Sequence, residues 1–291
     1  MRSANSIVQS VRQRQYWLLG LVAALGAIYA ALLLKVHDTA HLGMSIIFYL
    51  AAGTLLWEKR YTLKLQSSLF SKAIGAGLIA ILLWQSFILL QDPTFVKDPP
   101  HPIVRIFPLL AGVSVSLLAS GCKGLKQYWQ ELTILGFLGL PSILASFLPD
   151  LSPITAIFAT CLLWYVGFDA SVQGVYVHLP TGAIEVYAGC SGIESMTYLL
   201  GISVISLILF PISGLKRFFV PLLALLIGFG VNGVRVALLA VLAGSRSQTA
   251  FDYWHEGGGS MLFGMISIFT FGLLYILLYR FRSIANPDTE Y

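Results

Sequence analysis

A cysteine, an arginine and a histidine drawn from three separate segments are the side chains in this 291-residue sequence that could act together on a carbonyl group. Cys190 lies in Tyr187-Ala-Gly-Cys190-Ser-Gly-Ile-Glu194-Ser195, just ahead of a long apolar run. Ser191 and Glu194 have the spacing of a capping box, which predicts a helix start with Ser191 as N-cap and Glu194 folded back onto its amide. A thiol just ahead of a helix meets unbonded N–H groups and the positive end of the helix dipole. That setting lowers a thiol pKa below its free value of about 8.5, so a thiolate nucleophile could be built there, with backbone donors close by for an oxyanion. A buried cysteine packed at a glycine turn explains the same residues without chemistry. Arg235 stands in Gly228-Phe-Gly-Val-Asn232-Gly-Val-Arg235, inside another apolar run. An arginine there is costly and marks function by default, unless it pairs with Glu194 or snorkels. Asn232, three residues earlier, shares its helix face. His255 precedes Gly257-Gly-Gly259 and the last apolar run. Together the three supply a nucleophile, a proton carrier and a fixed cation, which is what acyl transfer through a thioester needs.

These residues must be positioned by membrane helices. The chain is 57% hydrophobic and 11% charged, against about 25% charged in soluble domains. Several apolar runs exceed the ~18 residues of a spanning helix. The runs predict an all-α polytopic membrane protein with about eight spans: near 16–34, 41–57, 73–90, 103–120, 132–148, 194–213, 218–242 and 261–279. The first is too long for a signal-peptide core and is read as an uncleaved span. With the N-terminus inside, 13 of the 18 basic residues fall on inner segments: Arg2, Arg12, Arg14, Lys59, Arg60, Lys64, Lys72, Lys123, Lys126, Lys216, Arg217, Arg280 and Arg282. Lys35, Lys97, Arg105, Arg235 and Arg246 fall outside or in outer helix halves. This asymmetry predicts both termini inside. It holds only if the short apolar run Ile154–Gly167 is a re-entrant or interfacial helix rather than a span. Val175–Leu179 and Ala183–Tyr187 flank Pro180-Thr-Gly182 and read as an outer β-hairpin that delivers the chain to Cys190. Arg235 lies ~25 Å along its helix from the inner end, at the level assigned to Cys190 and His255.

The expected organisation is one membrane domain over 1–291. It holds five spans in 1–150, a catalytic part in 151–280 with the hairpin and three spans, and a polar tail in 281–291. Cys122 and Cys161 read as packing or inert thiols. His37, His41, His101 and His178 are scattered without metal-ligand spacing, Asp252 and Glu256 could orient His255, and no metal or other cofactor is expected. The net charge of +5 is spread between apolar runs, which points to membrane orientation and not to nucleic acid.

Ala188-Gly-Cys190-Ser-Gly-Ile193 at a helix start, Asn232-Gly-Val-Arg235-Val on a later helix, and His255 with Gly258-Gly259 before the last helix resemble the exosortase/archaeosortase family. The resemblance covers roughly 150–280 by motif and the upstream spans by topology. It is most similar to the cyanobacterial members, the cyanoexosortases. It implies a cysteine protease and transpeptidase of the bacterial inner membrane, with its site on the extracytoplasmic side. Such an enzyme acts on proteins bearing a C-terminal tripartite signal: a short Pro-Glu-Pro-like motif, a spanning helix and a basic tail. Carried over, Cys190 attacks the scissile carbonyl, Arg235 stabilises the anionic species and His255 moves protons; Ser191, Glu194 and Asn232 are supporting residues by the capping-box and helix-face reading above. A glycan or lipid acceptor would resolve the acyl-enzyme, and no residue here identifies it. Two other classes remain open. Polar residues in glycine-broken spans also suit a transporter, and a non-catalytic assembly factor for surface polysaccharide export fits the same topology.

Overall fold

Long apolar segments in this chain can satisfy their main-chain groups in a bilayer only as helices, and helices dominate the computed structural model. It describes residues 2–96, 101–245, 247–255 and 257–285, without the side chains of 2–15, 96 and 281–285. The side chains of Arg2, Arg12, Arg14 and Arg282, and the whole of Lys97, Arg246, Glu256 and the tail beyond 285, lie outside the described residues. The chain divides into two compact units, Met1–Ile143 and Leu144–Tyr291.

The first unit contains α1 (Arg2–Lys35), α2 (Thr39–Lys59), α3 (Leu69–Gln91), α4 (Pro102–Gly124) and most of α5 (Trp129–Ala145). Asp38 starts α2 by accepting the His41 amide at 2.9 Å, and Ser68 starts α3 by accepting that of Ser71 at 3.2 Å. Gly121, at φ 68°, kinks α4 near its C-terminal end, and a 3-10 turn over Leu125–Tyr128 leads into α5. A Cβ at Gly112 would meet Leu132 and Leu135, and one at Gly139 would collide with the Arg105 carbonyl. The two helices therefore lie antiparallel, nearly backbone to backbone. Several polar groups of the unit are paired: Arg105 with Asp38 at 2.9 Å, Lys59 with Glu131 at 3.0 Å, and the Tyr29 hydroxyl with His41 Nε2 at 2.8 Å. Lys35 Nζ donates to the Leu89 and Asp92 carbonyls at 3.0 Å, placing a cation at the negative end of α3. Cys122 and Cys161 are both exposed, which leaves the inert half of their packing-or-inert reading.

The second unit contains α6 (Ser152–Tyr165), the strands β1 (Ser171–Gln173), β2 (Tyr176–Leu179) and β3 (Gly182–Glu185), then α7 (Ile193–Leu209), α8 (Lys216–Gly244), α9 (Gln248–His255) and α10 (Gly258–Ala285). The predicted hairpin is present, with a two-residue Pro180-Thr181 turn closed by the Leu179–Gly182 pair. A third strand, β1, joins it in an antiparallel sheet of order β1-β2-β3. The segment read as an outer loop holds the short helix α9. α7 ends at Leu209, four residues before the expected Ser213, because Phe210 leaves the helical region. The Tyr275 hydroxyl of α10 lies 2.9 Å from the Ser206 carbonyl and 2.5 Å from that of Phe210, sealing that end.

Seven helical stretches of the described residues are long and apolar enough to cross a membrane. One of them, Pro102–Ala145, is 44 residues long and is the α4–α5 hairpin, which accounts for the expected eight. α6, at 14 residues, is shorter than these. Large apolar side chains face outward along the long helices; Phe269 is 76% and Leu226 60% exposed. Such surfaces suit lipid and not water. The protein is an all-α polytopic membrane protein.

Candidate active site

The chain reaches Cys190 from the sheet. Val186 extends β3 by donating its amide to Val175 O at 2.9 Å, and a 3-10 turn over Ala188–Cys190 follows. The Cys190 amide donates to Tyr187 O at 2.8 Å and that of Ser191 to Ala188 O at 3.2 Å, so both are committed to the turn and not available to an oxyanion. The capping box does not form. The Ser191 hydroxyl donates to Ala188 O at 2.6 Å, and α7 begins only at Ile193, with Gly192 as its cap at φ 90°. Glu194 accepts from the Tyr198 hydroxyl at 2.9 Å and makes no ion pair with Arg235. The turn offered Ser191 a nearer carbonyl, and the left-handed bend at Gly192 removes the geometry a box requires.

Two neighbouring helices hold this turn by its carbonyls. Asn232 Nδ2 of α8 donates to Cys190 O at 2.8 Å, and the Thr155 hydroxyl of α6 donates to Ser191 O at 2.8 Å. Both helices come close because glycine permits it. A Cβ at Gly228 would sit 3.0 Å from Met196 Cα of α7, and one at Gly233 would collide with the Phe158 ring of α6. Gly230 has open space and plays no such part. At Gly192 a Cβ would lie 2.8 Å from Asn232 Nδ2, in a conformation that L-residues adopt at a cost of roughly 1–2 kcal/mol. Gly192→Ala is therefore expected to lower stability by at least about that amount and to break the Asn232–Cys190 bond. A fall in the thermal midpoint of the purified protein, with a changed rate of Cys190 alkylation, is the check; an unaltered midpoint would contradict this account of the turn.

The Cys190 side chain is buried, 5% exposed, against Ala156 and Ala159 of α6, Val177 and Val186 of the sheet, and Val236 and Ala237 of α8. Its Sγ lies 3.4 Å from His255 Nε2. The same Nε2 lies 3.3 Å from the Tyr187 hydroxyl. The imidazole is further lined by Phe251, one turn back on α9, at 5.2 Å between ring centres, and by the Tyr187 ring edge-on at 6.0 Å. Arg235 Nη2 donates to His255 O at 2.5 Å, a cation at the C-terminal end of α9 where the dipole favours it. Its Nε is buried without a hydrogen-bond partner among the described residues. Asp252 accepts from Gln248 at 2.8 Å, so its carboxylate is turned along its own helix. An open cleft of about 430 Å³ runs between β3 and α9 to His255, and a void of about 20 Å³ beside it touches Cys190. On the sheet, the Glu185 carboxylate accepts from the Tyr176 hydroxyl; this bond favours the neutral phenol and holds its pKa above the usual range.

The structure thus joins Cys190 directly to His255 and Arg235 to the pair through the His255 main chain. Ser191 and Asn232 shape the turn, and Glu194 stands apart. Tyr187 and Thr155 were not singled out by the sequence, since a tyrosine and a threonine beside apolar runs carry no signal of their own. Among the described residues no three His, Cys, Asp or Glu side chains are grouped to hold a metal ion.

A family model described as "Transmembrane exosortase (Exosortase_EpsH)" matches residues 35–272, most of the chain and every residue of this site. The chain belongs to that exosortase family. A relative, "Probable archaeosortase E" of Methanocaldococcus jannaschii, is 23% identical over 120 residues, covering 41% of this chain. The match spans 62% of that relative's length. No solved structure matches the chain significantly. The exosortase match takes in parts of both compact units, from the end of α1 through α2–α5 to the Cys190–His255 contact.

Proposed function

We propose that this exosortase-family protein is a cysteine protease and transpeptidase that cleaves a C-terminal sorting signal and transfers the remaining protein to a surface acceptor. The reading is supported above all by one contact, Cys190 Sγ at 3.4 Å from His255 Nε2, in a buried pocket that opens into a cleft. In the first step the thiol proton passes to His255 and the thiolate attacks the scissile carbonyl carbon. The tetrahedral anion collapses as its C–N bond breaks, and His255 returns the proton to the leaving nitrogen. A thioester remains on Cys190. An acceptor hydroxyl or amine then gives its proton to His255 and attacks the thioester, and the sulfur leaves. Arg235 steadies His255 through its carbonyl and keeps an uncommitted Nε–H for negative charge. With the Cys190 and Ser191 amides committed to the turn, Arg235 Nε is the donor this reading assigns to that charge.

The substrates on this reading carry the tripartite Pro-Glu-Pro-like, spanning and basic signal, and the acceptor is a glycan or lipid. The site faces the extracytoplasmic side of the inner membrane, with both chain termini in the cytoplasm, as the basic residues indicate. The test is to incubate membranes with a signal-bearing precursor, quench in acid and look by mass spectrometry for a hydroxylamine-labile adduct on Cys190. A precursor converted with no adduct on Cys190 under any quench, or with the adduct on Cys122 or Cys161, would sink the proposal.

A further inference from the structure

β3 is an edge strand whose open side faces the cleft. Its sheet has the order β1-β2-β3, so among the described residues no strand lies beyond it. Val186 donates to Val175 O, and the register pairs Ile184 with Val177 and Gly182 with Leu179. Residues 182, 184 and 186 therefore turn their main-chain groups toward β2, and the intervening Ala183 and Glu185 turn theirs outward. Among the described residues those outward amides and carbonyls have no partner. Both residues are exposed and line the cleft, opposite Phe251 and His255 and above Leu242 and Ala243. At one end the cleft is closed by the hairpin turn, where Thr181 packs against Gly244 so tightly that a Cβ would collide. At the other it reaches His255 and the small void that touches Cys190. The Glu185 carboxylate is engaged by Tyr176 on the sheet face, leaving the edge itself clear. β1 also has an open side, but none of its residues lines the cleft.

A free edge offering alternate main-chain donors and acceptors is the recognition surface for an extended peptide, which gains affinity from the ladder whatever its side chains. β3 runs toward Cys190, so a peptide lying parallel to it brings its own C-terminal end to the sulfur. That end is the acyl half of a scissile bond. We propose that the substrate segment leading up to the scissile carbonyl adds to β3 as a fourth strand, bonded through the main chain of Ala183 and Glu185, and is delivered by that register to Cys190. The proposal rests on the cysteine-enzyme reading above.

The probe is a synthetic peptide copied from the mapped cleavage junction of a processed precursor, with one backbone amide N-methylated at a time on either side of the bond. With wild-type enzyme, alternate amides upstream of the bond are expected to lose about tenfold in kcat/KM per methyl group, and the amides between them less than about twofold. Uniform loss, no loss, or sensitivity confined to the leaving half would overturn the proposal. Ala183→Pro removes one outward N–H and leaves the β2 ladder intact, because proline is tolerated on an edge position of this kind. It is expected to raise KM for the unmodified peptide about tenfold while iodoacetamide alkylates Cys190 at the wild-type rate. An unchanged KM at an unchanged alkylation rate counts against the edge. Cleavage that survives Cys190→Ala would instead remove the enzyme reading itself, which separates the two failures.

Discussion

Cys190→Ala is expected to abolish conversion of a signal-bearing precursor, with no product above the level of membranes lacking the protein. Among the described residues the sulfur is the one group within hydrogen-bond reach of His255 Nε2 that can carry an acyl group as a thioester; the Tyr187 hydroxyl at 3.3 Å could form only an ester. Loss of an attacking atom removes the covalent route rather than slowing it. The fold should survive, because the turn is held by the Cys190 carbonyl and not by its side chain. The measurement is precursor-to-product ratio on immunoblots of membranes with matched protein levels. Near-wild-type conversion would return the protein to the transporter or assembly-factor class.

His255→Ala is expected to lower turnover by ~10²–10⁴-fold, the usual range for a lost general acid–base. Binding should be less affected, since the β3 edge and the floor of the cleft remain. Arg235→Lys gives the contrasting case. Lysine keeps the charge, but it lacks the planar fork that can both hold His255 O and keep a donor for the anion. If that fork matters, the lysine variant should fall well below wild type, with kcat reduced more than KM is raised. Single-turnover rates of acyl-enzyme formation would check both; a His255→Ala enzyme within about fivefold of wild type would exclude imidazole from the proton path.

The long helices were legible because hydropathy alone decides them: a run such as 261–279 has no other stable form in a bilayer. The candidate residues were legible in the sequence, and the joints between them less so. Cys190, Arg235 and His255 stood out as chemical groups in apolar surroundings, and the Cys190–His255 contact followed. The capping box failed because its pattern is local, whereas Ser191 answered to Ala188 and Gly192 took a left-handed conformation that no side-chain spacing encodes. α9 escaped notice because it is short and on average barely apolar, so it reads as loop between two spans, and β1 because three residues give almost no pattern. Asn232 was marked as polar in a span, but its partner is a carbonyl, and carbonyls are invisible to a reading that pairs side chains.

That asparagine belongs to an arrangement with a wider consequence. Asn232 holds the carbonyl of Cys190, and Arg235, three residues further along α8, holds the carbonyl of His255. Cys190 and His255 are 65 residues apart in sequence, yet both are hung by their main chains from one face of one helix, within a rise of ~4.5 Å. α8 thus works as a gauge block. The spacing between sulfur and imidazole is copied from the pitch of an α-helix, among the least deformable dimensions a protein has, instead of from the loops that carry the two groups. The anchors at 190 and 255 are main-chain carbonyls, so neither side chain is used to hold its own segment to α8. Drift in the connecting loops, in length or in composition, is then absorbed without detuning the pair, provided the two anchors keep their register on the helix.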